Sequence, residues 1–151
     1  MPEKETLQRA EQDKREGKSP STQAGEFVKE EMDHVREGKH GARSSKQAIA
    51  IGLSKARRAG VKLPPPKKGK TSARTRRQAA RDTAKGSSGR KHAPSRKRSR
   101  AVTGALKREG RAAASHSALS RQARSSARSR SAASRSQAAR KAARTRARRS
   151  R

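Results

Sequence analysis

The chain has 151 residues, of which 43 are Lys or Arg and 12 are Asp or Glu, for a net charge of +31. Hydrophobic residues make up 27% and aromatic residues 1%, too few large apolar groups to offset the entropy of ordering the whole backbone. Self-repulsion opposes compaction as well, so composition predicts a mostly disordered chain with a small all-α helical hairpin and a basic low-complexity C-terminal tail. There is no cysteine, which excludes disulfides, Cys-ligated zinc and thiol catalysis.

Charge divides the chain. Residues 1–37 hold ten acids and seven bases, whereas residues 38–151 hold 36 bases against only Asp82 and Glu109. Residues 1–25 read as a charged, slightly acidic flexible arm. Spacings such as Glu11 to Arg15 would support a fraying helix there, with Gly17, Ser19 and Pro20 as stops. No apolar core of a signal peptide is present near Met1, and no apolar run reaches the ~18 residues of a membrane span.

Residues 26–63 carry the folding signals. Val28, Met32 and Val35, with Phe27 beside them, lie on one helical face that Gly38 would end. Ser44 and Gln47 match a capping box for a second helix, whose stripe is Ile49, Leu53 and Ala56 and whose C′ residue is Gly60. Val61 and Leu63 would fold back before Pro64-Pro65-Pro66 ends the hairpin. Val28, Met32, Val35, Ile49 and Leu53 are its expected core.

Residues 64–151 form the Pro-linked, Arg/Ser/Ala-rich tail. Bases recur there at helical intervals, as at Arg74, Arg77, Arg81 and Lys85, and at Arg140, Arg144, Arg148 and Arg151. Alanine favours helix, but uncompensated arginines four apart oppose it. The tail is therefore expected to order only on a polyanion.

The run Lys46-Gln47-Ala48-Ile49-Ala50-Ile51-Gly52-Leu53-Ser54-Lys55-Ala56-Arg57 resembles a bacterial domain of unknown function, as do Phe27-Val28 to Met32 and the Gly38-Lys39-His40-Gly41 loop. The likeness covers about a quarter of the chain and implies no activity. The tail resembles those of linker-histone-like bacterial proteins, although Arg and Ser stand where Lys, Ala and Pro are usual.

A basic excess this large calls for an anionic partner. Duplex DNA carries one charge per about 1.7 Å and releases counterions on binding. Membrane binding would need Trp, Phe or Leu opposite the basic face, where this chain has Ala and Ser. Single-strand binders stack bases on aromatics, and Phe27 is the one aromatic residue. Arginine suits bidentate phosphate contacts. The candidate nucleic-acid-binding residues are Arg74, Arg76, Arg77, Arg81, Lys85, Arg96, Lys97, Arg98, Arg100, Arg121, Arg124, Arg128, Arg140, Lys141, Arg144, Arg146, Arg148 and Arg149.

A helix-turn-helix would present Lys46 and Gln47 to bases, but its turn has three or four residues and this loop is longer. His34 and His40 lie near Asp33 and Glu37, yet two carboxylates without a fixed His partner make a poor site, and no metal or other cofactor is expected. No G-x-S-x-G, Walker or H-E-x-x-H motif occurs. The expectation is a non-enzymatic, nucleoid-associated cytoplasmic protein with no small-molecule substrate and no membrane partner, binding DNA in preference to RNA. A homodimer through the hairpin is a further partner the sequence allows. One alternative is an RNA- or ribosome-associated basic protein. Another makes the hairpin a protein-interaction module with the tail as an electrostatic tether.

Overall fold

A computed structural model describes residues 2–88 and 95–149, with the side chain of Arg149 left out. Among these residues are seven α-helices: α1 (Lys4–Arg15), α2 (Pro20–Arg36), α3 (Ser45–Arg58), α4 (Ala73–Ser87), α5 (Arg96–Lys107), α6 (His116–Arg128) and α7 (Ala132–Arg149). A short 3-10 turn spans Ala112–Ala114. The expectation of a mostly disordered chain is therefore overturned, for both the arm and the tail. The chain divides into two compact units, Met1–Ser115 and His116–Arg151.

In the first unit α1 packs on α2, α2 on α3, and α3 on α4, while the 3-10 turn packs against α2 and α3. Small side chains make this possible. Ala10, Ala24, Phe27, Ala56 and Val61 form the core cluster, with Leu53 and Leu63 packed against it. Met32 and Val35 are buried, but Val28, Ile49 and Leu53 are only half-buried, so the expected hairpin core is corrected. Counting large apolar residues underestimates such a core, because alanine buries little area but lets helix backbones approach closely.

The expected caps are present. Gly38 and Gly60 take φ of +77° and +94°. The Ser44 side chain accepts a hydrogen bond from the Gln47 N–H, and Gln47 Oε1 accepts from the Arg43 N–H at 2.8 Å. Pro20 does not merely stop α1; it opens α2, where its missing N–H and fixed φ suit the first helical position.

Two parts of the supposed tail fold back. Asp82 on α4 is buried, accepts from Ser54 Oγ at 2.6 Å and thereby clamps α4 to α3. Arg57, also buried, donates to the carbonyls of Leu63 and Pro64, fixing the strap that leads into α4. Farther on, Leu106 O and Gly110 O accept from the N–H groups of Gly41 and Ala42, and Ser45 Oγ donates to Ala113 O at 2.6 Å. The α2–α3 loop thus receives the last turn of α5 and the segment after it.

In the second unit, Leu119, Gln122, Ser126 and Ala127 of α6 are half-buried, whereas α7 is exposed from Ala132 to Arg148. Ser131 Oγ accepts from the Ser134 N–H at the start of α7. Alanine and arginine have among the highest helix propensities, which accounts for helix without a buried face.

Gly52 marks where α3 crosses α2 most closely: a Cβ there would lie 2.7 Å from Val28 Cα and 3.0 Å from Phe27 O. Gly25, inside α2, has open space around it. Gly52→Ala should therefore destabilise the unit by about 1–3 kcal/mol through overpacking, while Gly25→Ala should stabilise it by about 0.5–1 kcal/mol. Denaturant unfolding of both variants checks this; a neutral Gly52→Ala would mean that the two helices are not in contact there.

Candidate functional site

Every one of the twelve carboxylates lies within 3.9 Å of a basic side chain. Their partners are Arg9, Lys14, Arg15, Lys18, His34, Arg36, Lys39, His40, Arg43, Lys55 and Arg58. None lies beyond Arg58. The exposed pairs each contribute little. Their importance lies in neutralising the acidic charge at the N-terminal end of the chain.

The buried pairs are different. Lys55 Nζ sits 3.0 Å from Glu30 Oε1 and 2.7 Å from Glu31 Oε2, and those carboxylates are 2% and 1% exposed. Glu30 also accepts from the backbone N–H of Glu3 at 3.1 Å. Burial pushes the Glu30 carboxyl up, but the bonds from the Glu3 N–H, Lys55 and Thr6 outweigh it and hold it below its ordinary value. The Glu3 side chain meets His34 Nε2 at 2.8 Å and Lys39 Nζ at 3.1 Å, and these bonds, His34 first, lower its pKa to about 2.

Sequence reasoning misses one arrangement. The structure brings Glu31, not Asp33 or Glu37, to His34 and His40, with one ligand atom of each within 4.8 Å of the others. The Glu31–His34 spacing of three places both on one helical face and is the signal the sequence offers. Asp33 instead pairs with Arg36, and Glu37 with Lys39.

The expected nucleic-acid-binding residues fall on four helices. Arg74, Arg76, Arg77, Arg81 and Lys85 lie on α4; Arg96, Lys97, Arg98 and Arg100 on α5; Arg121, Arg124 and Arg128 on α6; Arg140, Lys141, Arg144, Arg146, Arg148 and Arg149 on α7. Arg76 is half-buried, Arg149 has no described side chain, and the others are exposed. Arg151 lies outside the described residues. None of the others forms an ion pair with a described residue. The first turn of α5 carries Arg96, Lys97 and Arg98, cations where the helix dipole favours an anion. Lys46 is exposed, whereas Gln47 is engaged in its cap.

Residues 14–68 match the model of a family of unknown function (DUF6496). That stretch runs from the end of α1 through α2, α3 and the strap, and stops before α4. No curated protein and no solved structure matches the chain. Among the described residues, no helix is long and apolar enough to cross a membrane.

The carboxylates of Glu3 and Glu30 titrate lower in the folded chain than the ordinary value of 4.5. Such groups contribute stability above their unfolded pKa and lose it as pH falls through the folded one. For Glu3 that window runs from 4.5 down to about 2. The melting temperature of the unmodified chain should therefore drop more on acidification across this window than that of Glu3→Gln. Parallel curves would show that Glu3 does not tether α1 to α2.

Proposed function

We propose that this is a non-enzymatic nucleic-acid-binding protein that holds duplex DNA by its phosphates through the bases of α4 to α7, with little sequence preference. The observation that carries this is the complete internal pairing of the acids by bases no later than Arg58. The lysines and arginines after it have no intramolecular countercharge among the described residues. Their charge is left to solvent counterions, and a polyanion that displaces those ions gains entropy.

Support comes also from helical presentation. Arg74, Arg77, Arg81 and Lys85, and likewise Arg140, Arg144 and Arg148, recur at three- and four-residue intervals on helices. Each set therefore projects from one side of its helix. Bringing phosphates to such a row relieves the repulsion between successive arginines. A bacterial nucleoid is the setting in which a protein of this kind would work, with the α2–α3 pair as the module that docks or recruits.

Affinity should fall steeply with salt and depend little on sequence. About ten phosphate contacts give a log–log slope near −9, and Arg140→Gln, Arg144→Gln and Arg148→Gln together should reduce its magnitude by about 2–3. Titrating unrelated duplexes and a duplex RNA over a salt series measures both quantities. A shallow slope, discrimination between unrelated duplexes by more than about 3 kcal/mol, or clear preference for the RNA would overturn the assignment to nonspecific DNA binding.

A further inference from the structure

We propose that Glu31, His34 and His40 form a binding site for a divalent first-row transition ion, with zinc the best match to the donors. Glu31 and His34 lie on α2, and His40 lies in the loop that follows. One ligand atom from each falls within 4.8 Å of the others. Glu31 is fully buried, and both its carboxylate oxygens lack a hydrogen-bond donor. Lys55 and His40 approach those oxygens at 2.7 and 3.3 Å, close enough for charge but without hydrogen-bond alignment. Lys55 balances charge there, and the carboxylate oxygens keep lone pairs that no hydrogen bond uses and that a metal ion could take.

One of the three spacings already matches a metal centre, and the others lie within 4.8 Å. Tetrahedral zinc with bonds of about 2.0–2.1 Å sets its ligand atoms about 3.4 Å apart. His40 Nε2 and Glu31 Oε1 are 3.3 Å apart. The other ring nitrogen of His40 meets Gly41 O at 3.1 Å; donating there, it leaves Nε2 as the unprotonated ligand. His34 Nε2 lies 2.8 Å from Glu3 Oε1, the carboxylate–imidazole contact that orients metal-bound histidines, so its Nδ1 is the nitrogen left to the ion. The two rings meet edge to face, 6.0 Å between centroids.

Charge agrees with geometry. Glu3, Glu30, Glu31 and Glu37 face Lys39 and Lys55, an excess of two negative charges when both imidazoles are neutral. A divalent ion cancels it. The three ligands fall inside the stretch similar to the family of unknown function, and none of them belongs to a basic helix.

Calorimetric titration of the metal-stripped full chain with zinc tests this, alongside cobalt as a spectroscopic probe. One equivalent should bind, cobalt should give the intense visible bands of a tetrahedral site, and zinc should raise the melting temperature. His34→Gln and His40→Gln should each weaken binding at least about tenfold, and Glu3→Gln by about 10–100-fold, while His116→Gln should leave it unchanged. Circular dichroism checks that each variant stays helical. In the unmodified chain, zinc should shift the ring NMR signals of His34 and His40 and not that of His116, a readout that needs no variant. No uptake at millimolar zinc, or shifts at His116 with His34 and His40 unmoved, would overturn the site.

Discussion

Lys55 reaches from α3 between Glu30 and Glu31 of α2, and most of the N-terminal unit depends on that contact. Three charges in so small a core are hard to desolvate, and removing one partner of such a group is typically destabilising by about 3–5 kcal/mol. The arrangement persists because its neighbours add a hydrogen bond and a further polar contact. The N-terminus of α1 docks on Glu30 through the Glu3 N–H, and the loop after α2 brings His40 to Glu31. The relative placement of α1, α2, α3 and the α2–α3 loop thus follows from two adjacent carboxylates.

That use of acid explains the division of labour along the chain. With every carboxylate held by bases up to Arg58, nothing negative remains among the described residues to neutralise α4 to α7 internally. Asp82 and Glu109, the two acids of the basic half, are held in the same way. Asp82 fastens α4 to α3, and Glu109 pairs with Arg43. Folding and display of charge are therefore one arrangement. The N-terminal acids are not a flexible arm; they are engaged in the fold through α1 and α2.

Local signals in the sequence were the dependable ones. Ser44, Gly38 and Gly60 mark helix ends by chemistry that needs no tertiary information, and the structure places them there. Packing was not legible because small residues and polar atoms make it. Ala10 and Ala24 belong to no apolar stripe, yet with Ala56 they form the core around Phe27. Thr6 and Asp82 are buried and read in a sequence as surface residues. Return of the end of α5 and the segment after it runs through backbone carbonyls at Leu106, Gly110 and Ala113, which any residue carries. The helical spacing of the bases in α4 and α7 is visible in the sequence, but the helices beneath them are not expected from it in the free chain, because repulsion between arginines four apart is set above the helix propensity of alanine and arginine. The Glu31–His34–His40 cluster was not legible either, since the loop that returns His40 is set by tertiary contacts.

We propose that the ion-paired helices α1 to α3 hold the fold together and that the unpaired bases of α4 to α7 meet the nucleic acid. Amide hydrogen exchange of the full chain, with and without a saturating nonspecific duplex, tests it most directly. Exchange should slow within α4 to α7, and the protection already present in α2 and α3 should not change. New protection confined to α2, α3 and their loop, with α4 to α7 unaffected, would contradict it.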